Sequence, residues 1–414
     1  MSHVVILGPA SSGQLLVEYA KEAGHRVTVA LPPAWKGTPQ AGVRQLADDV
    51  LWTDPLDAAA LQAAVDALRR DRPVDAVVPG FEYYVPAAAA TASRLGLPGL
   101  GADAAGWMRY KHLMRRALLD AEVRSAEFRV VDTARPDWLP AVEEAVRHLA
   151  LPCVVKPVDL GGSVMVRLVR STDEALRAVR EIAAAGPDTF GLKPLPLALI
   201  EEYIQGPEYS VEGYMTPEGP SVVSITRKLL GGEPYFVERG HVVGAILPRA
   251  VDEAVGAYVE NVTSALGLDV GVFHGEVRLT EQGPVLMELG ARLPGDRICE
   301  LVGLARGVNL AAVFVESLIG VPPPPYTPDA ESSRAAGIRF MIRPGLEQYS
   351  QVIGFDEARD LDGHVDSALS YGPGEAIPQA TDFSGRLGWF ICTAPDADTL
   401  EALLDKADDM VEFS

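Results

Sequence analysis

Cysteine is nearly missing from this sequence: Cys153, Cys299 and Cys392 stand far apart, and no CxxC pair occurs. That spacing excludes a disulfide framework and a cysteine-ligated zinc site, and it leaves three thiols that read as small buried hydrophobes. Long apolar runs are missing too. No stretch approaches the roughly 18 apolar residues that a bilayer-spanning helix needs, so no membrane role is expected. Basic residues are scarce, with 36 Lys and Arg against 57 Asp and Glu and a net charge of −21. The excess acid is spread along the chain rather than gathered into a tail, which excludes a polyanionic nucleic acid as partner. The first residues, MSHVVILGPASSG, pass straight into a strand pattern without a charged leader, and the expected location is therefore the cytoplasm.

What is present is enough chain for several lobes. At 414 residues the sequence exceeds what one core serves, and two or three lobes around a shared cleft are expected. The first hundred residues alternate VVIL, QLLVEYAKEAG, RVTVALP, LDAAALQAAVDALRR and DAVVPG. This βαβαβ pattern predicts a parallel sheet wrapped by helices, with Phe81, Glu82 and Tyr83 at a strand C-terminal end facing the ligand crevice. A helix is predicted from Trp107 to Asp120, its apolar stripe edged by Lys111. A small α+β lobe follows. Then LALIEEYI leads into PEYSVEGYMT and PSVVSITRKLL as an antiparallel meander, and a helix through AVGAYVENVTSALGL precedes a hairpin. The Gly/Pro stretch IGVPPPPYTPD reads as a linker, and the remaining segment contains no concentrated polar motif.

The hairpin HGEVRLTEQGPVLMELGARLPGD carries the strongest chemical signal. A three-residue turn over Glu281, Gln282 and Gly283 sets Thr280 opposite Pro284 and Glu276 opposite Glu288. Two carboxylates roughly 5 Å apart repel by about 3 kcal/mol at an effective dielectric near 20. The predicted shared face, with His274, Glu276 and Arg278 against Leu286, Glu288, Gly290 and Arg292, is too polar for a core. A bridging Mg²⁺ removes the repulsion, because hard cations take carboxylate and phosphate oxygens. Gly290 opposite His274 leaves room for a ligand, and the Arg292 fork suits a phosphate or carboxylate.

Weaker motifs surround it. GPASSG at residues 8–13 approximates a dinucleotide fingerprint, but Ala10 replaces its middle glycine and no acid ends the second strand, so a tight strand-to-helix turn is the better reading. Gly161, Gly162 and Ser163 form a glycine-rich hairpin tip able to close over phosphates, with Lys156 five residues earlier on an apolar strand that wants burial. In GEPYFVERGHVVGAILP, Glu238, Arg239 and His241 interrupt an apolar stretch just before the helix that leads to the hairpin, which suggests a substrate role.

The order of these motifs resembles the ATP-grasp superfamily and, within it, the L-amino-acid ligase branch of carboxylate–amine ligases, over almost the whole chain. The resemblance implies an N-terminal Rossmann-like α/β domain over 1–106, an ATP-grasp domain over 107–325 with its lid at about 125–200 and palm at about 201–325, and a C-terminal α+β domain over 326–414. It implies phosphate binding by Lys111, Lys156 and the Gly161, Gly162, Ser163 tip. Adenine and ribose would fall to Glu201, the backbone of Glu202, Tyr203 and Ile204, and Glu208. Glu276 and Glu288 would hold two Mg²⁺ ions, for which Mn²⁺ can substitute. Arg292 and the backbone near Gly295 would stabilise an oxyanion, with Glu238 and His241 at the substrate. Where many superfamily members carry Asn two residues after the second acid, this chain has Gly290, a departure shared with the amino-acid ligase branch. The implied reaction joins an amino acid carboxylate to an amine through an acyl phosphate, in a homodimer. A biotin-carboxylase-like activity, a NAD-dependent oxidoreductase using GPASSG, and a nucleotide-binding regulator without turnover are the competing readings.

Overall fold

The computed structural model describes residues 1–187, 191–244, 247–328 and 334–414. Asp329 of the Gly/Pro linker and Ala245 and Ile246 of the second polar stretch therefore lie outside the described residues.

Four parallel strands open the chain, in the order Asp49–Trp52, Arg26–Leu31, His3–Leu7, Ala76–Pro79. Every residue of His3–Leu7 is buried, because a central parallel strand is covered on both faces by its crossover helices. The strand Asp49–Trp52 is an addition to the predicted pattern; its four residues are all half-buried and give no alternation to read. GPASSG is a tight turn into the helix Gly13–Glu22, and close packing accounts for its glycines. A Cβ on Gly8 would lie 1.9 Å from the Tyr84 ring, and one on Gly13 would lie 1.8 Å from the Gly80 carbonyl oxygen.

The helix predicted over Trp107–Asp120 is two helices, Ala102–Trp107 and Lys111–Asp120, broken where Tyr110 adopts an extended conformation. The break puts Lys111 in the first turn of the second helix, where its N–H donates to the Val158 carbonyl. Next comes a four-stranded antiparallel sheet in the order Phe128–Asp132, Leu197–Glu202, Cys153–Pro157, Arg167–Val169, backed by the helices Trp138–Leu149 and Thr172–Ala183. LALIEE, expected at the head of the meander, is instead an inner strand of this small sheet, paired on both sides. Its apolar residues Ala198, Leu199 and Ile200 are buried there.

An eight-stranded sheet follows, in the order Gly283–Gly290, Val272–Thr280, Glu208–Thr216, Gly219–Leu230, Glu238–Val243, Ala335–Met341, Gly388–Ala394, His364–Leu369, beside a small two-stranded pair of Val352–Ile353 with Glu412–Phe413. The C-terminal segment thus extends the sheet that carries the acid hairpin, through pairs such as Val242 with Gly337. Gly337 is required by that approach, since a Cβ there would meet the His241 carbonyl at 2.8 Å. The helix Ala397–Asp409, capped by Asp396 accepting from the Thr399 N–H, covers the junction. Among the described residues no single helix is long and apolar enough to cross a membrane, and all three cysteines are free and buried.

Candidate active site

Glu276 does face Glu288, but by two compensating departures from the expected hairpin. The turn has two residues, so that Thr280 pairs with Gly283 and Leu279 with Pro284, and a bulge at Met287 restores the offset. Thr280 Oγ1 donates to the Gly283 carbonyl at 2.8 Å, and Gly283 takes φ +108°, which together close the tighter turn. The bulge also corrects one expected position. Leu286, assigned to the polar face, pairs with Val277, and both are buried in the apolar core on the other side. Gly290 lies opposite His274 as expected, but the room it leaves is used by Arg292, whose side chain would be 3.3 Å from a Cβ there.

Each acid of the pair meets an ammonium group. Lys111 Nζ stands 2.8 Å from Glu288 Oε2 and donates to the Leu160 carbonyl, while Lys228 Nζ stands 2.5 Å from Glu276 Oε1. Lys228 went unnoticed in the sequence. It also reaches Glu208 Oε1 at 2.9 Å and Glu238 Oε1 at 2.8 Å. Burial opposes its charge, but Glu208, Glu238 and Glu276 together push its pKa well above the ordinary lysine value. The available signal was the alternation Ser224, Thr226, Lys228, three buried polar residues on one face of a strand.

The hinge between the two sheets is equally charged. Lys156 is buried, with Nζ 2.5 Å from Glu201 Oε2, and Arg115 Nε holds Glu201 Oε1 at 2.6 Å. Burial lowers the Lys156 pKa despite that partner, whereas Arg115 and Lys156 overcome burial to hold the Glu201 carboxyl below its ordinary value. Both Glu201 oxygens are therefore engaged by cations, one of them Lys156 and the other Arg115. Glu202 accepts from the Glu127 N–H. The Ile204 carbonyl accepts from Arg278 Nη1, and Arg278 also holds Glu208 Oε2 at 2.9 Å. Tyr203 stands at the rim, its ring beside Phe236 and its hydroxyl donating to Glu233. The tip residues Gly161, Gly162 and Ser163 join the Cys153–Pro157 and Arg167–Val169 strands, with positive φ at Gly162 (+65°) and Ser163 (+60°).

One cleft gathers Lys111, Lys156, Gly161, Gly162, Ser163, Glu201, Glu202, Ile204, Glu208, Glu238, Glu276, Glu288 and Arg292. Gly295 lies apart, with Arg292, in a narrow space against Ala10–Gly13. His241 lies behind Glu238, its Nε2 3.0 Å from Asp296 Oδ2. Arg386, from the segment expected to hold no polar motif, binds Asp296 Oδ1 at 2.8 Å and Glu238 Oε2 at 2.9 Å. From the N-terminal sheet, buried Glu82 grips Arg292 Nη2 at 2.9 Å. His274 completes the cleft wall: burial opposes its charge, but its bond to buried Glu212 pushes its pKa up to about 8. Such an arrangement can surround a polyanion with ammonium and guanidinium groups, and it offers a divalent cation two carboxylates of hard oxygen on one face.

Comparisons with known proteins agree with this architecture. Residues 149–300 match the model of an ATP-grasp domain, residues 17–99 that of an ATP-grasp N-terminal domain, and residues 348–414 that of L-amino acid ligase C-terminal domain 2. The alanine–anticapsin ligase of Bacillus subtilis is 26% identical over 264 residues, which cover 59% of this chain and 54% of that one, so the match spans about half of that relative's length. The fold is shared with an L-amino acid ligase from Bacillus licheniformis (TM-score 0.79, 22% identity, covering 100% of this chain and 98% of that one). It is shared as well with a phosphoribosylglycinamide synthetase from Anaerococcus prevotii (TM-score 0.72, 18% identity, covering 100% and 99%).

Proposed function

This chain belongs to the ATP-grasp superfamily and carries the C-terminal domain of its L-amino acid ligase branch, and from that premise we propose that it is an ADP-forming carboxylate–amine ligase that joins an amino acid to an amine. The single observation that carries the reading is the facing pair Glu276 and Glu288 within one cleft, where Lys111 meets Glu288 but Lys228 is divided among Glu276, Glu208 and Glu238. Repelling carboxylates at that spacing are retained where a cation and phosphates supply the balance.

In this reading the γ-phosphoryl group of ATP passes to the substrate carboxylate, an acyl phosphate forms, and the amine displaces phosphate to leave the amide. Lys111 and Lys156 offset charge on the phosphates, and the Gly161–Ser163 tip donates N–H groups over them. Glu276 and Glu288 are the residues that would hold Mg²⁺, which supplies electrostatic stabilisation of the transferring phosphoryl group. Glu208 serves the ribose, and the backbone from Glu202 to Ile204 faces the base. Arg292, held by Glu82, orients the carboxylate and stabilises the oxyanion. Glu238, His241 and Asp296 with Arg386 form the amine side, where a carboxylate or imidazole can take the proton released on attack. Lid closure keeps water from the acyl phosphate. A homodimer and a pair of metal ions belong to the same reading.

The test is phosphate release from ATP and Mg²⁺ across a pairwise matrix of amino acids, followed by mass analysis of the active pairs. The expected products are ADP, phosphate and an amide. AMP with pyrophosphate, or no ATP consumption with any pair, would sink the reading.

A further inference from the structure

Arg115 is a buried cation that the proposed mechanism does not use. It lies on the helix Lys111–Asp120, one turn after Lys111 and on the same side, and is completely buried. Its Nε donates to Glu201 Oε1 at 2.6 Å, and its Nη2 donates to the carbonyl of Met287 at 2.8 Å. Met287 is the bulged residue of the acid hairpin, and Glu201 is the ion-pair partner of Lys156. A single guanidinium therefore links the helix that carries Lys111, the lid strand that carries Glu201, and the backbone step that sets Glu288 against Glu276.

We propose that Arg115 is a positioning residue of the nucleotide–metal site, fastening the Met287 bulge and the Glu201–Lys156 pair so that both phosphate lysines and both acids converge on one cleft. The inference rests on the reading of that cleft given above. A bulge leaves backbone groups outside the ladder, and these must find other partners when buried. On one side the Leu286 N–H donates to Tyr258 Oη at 2.8 Å; on the other the Met287 carbonyl accepts from Arg115. The fork geometry is what this position needs. One planar group reaches a carboxylate and a carbonyl in different directions, which a lysine ammonium in the same place does not reproduce. Arg115 Nη1 has no hydrogen-bond partner among the described residues, although it is buried.

The experiment measures Mn²⁺ binding by electron paramagnetic resonance in the presence of saturating ADP, together with ADP binding in EDTA and thermal melting, for the wild type and for Arg115→Lys and Arg115→Gln. The expected result is a folded Arg115→Lys protein with a melting temperature close to that of the wild type, whose Mn²⁺ dissociation constant rises at least fivefold and whose metal-free ADP dissociation constant rises at least threefold. Arg115→Gln, which keeps a neutral donor, is expected to show the same pair of losses. A purely structural role would lower the melting temperature and leave the Mn²⁺ constant of the folded fraction unchanged; that outcome overturns the proposal. Failure of both variants to fold overturns it too, by assigning Arg115 to stability. If the wild type shows no ADP-dependent Mn²⁺ binding, the reading of the cleft itself fails, a result distinct from a wild type that binds and variants that bind equally well.

Discussion

Lys228 Nζ lies 2.5 Å from Glu276 Oε1 and, by also touching Glu208 and Glu238, ties the hairpin, the ribose side and the amine side of the cleft to one ammonium. Removing that charge leaves three carboxylates sharing a buried space. Lys228→Met is expected to destabilise the protein by about 3–5 kcal/mol, the usual result of truncating one partner of a buried ion network. Urea unfolding followed by circular dichroism measures it, and a loss under about 1 kcal/mol would mean that water solvates the acids.

Glu276→Gln and Glu288→Gln keep shape and remove charge. Each is expected to lower kcat by about 100-fold or more with a wild-type fold, since metal stabilisation of the transferring group is worth several kcal/mol. Steady-state ADP formation at several Mg²⁺ concentrations tests it. Unchanged ATP consumption in either variant contradicts the metal assignment.

Acid stability depends on Arg386. Burial alone would raise the Asp296 carboxyl, but Arg386 and then His241 hold it well below the ordinary carboxylate range. A carboxylate depressed in the folded protein contributes stability that is complete above its unfolded pKa, near 4, and is lost as pH falls through the folded value. Arg386→Met removes the main cause of the depression. Its acid unfolding midpoint should move to higher pH by about half a unit or more, as followed by tryptophan fluorescence between pH 7 and pH 2.

The lid tip lies against the C-terminal segment at Gly162. Gly162 has φ +65°, and a Cβ there would lie 2.7 Å from the Phe383 ring. Gly162→Ala is expected to cost about 1–3 kcal/mol in local strain and to raise the KM for ATP. Adding Phe383→Ala should recover the steric part and leave the backbone part, so the double variant ought to fall between the wild type and Gly162→Ala. Equal KM values for Gly162→Ala and the double variant would place the whole effect in the backbone.

Much of the fold was legible because it is written in local pattern. His3–Leu7 and its neighbours read as a parallel sheet from apolar runs between helices, and the hairpin read from its turn residues and alternation. The break at Tyr110 was not legible, because Trp107, Met114 and Leu118 keep a helical spacing on either side of it. The placement of LALIEE in the lid sheet and the joining of Glu238–Val243 to Ala335–Met341 are pairings between distant segments, and an apolar strand does not say which neighbour it takes.

The site divides in the same way. By itself the sequence determined which side chains were chemically out of place, namely Glu276, Glu288, Lys156 and the Gly161–Ser163 tip, because charge on an apolar strand and glycine at a turn are local facts. Only the tertiary structure decided who neutralises whom. Lys228 with Glu276, Lys111 with Glu288, Glu82 with Arg292 and Arg386 with Asp296 join residues between 48 and 210 positions apart. It also decided that the Met287 bulge, and not a three-residue turn, sets the acids face to face. Burial makes each charge demand a partner, and folding, which brings remote segments within 3 Å, chooses it.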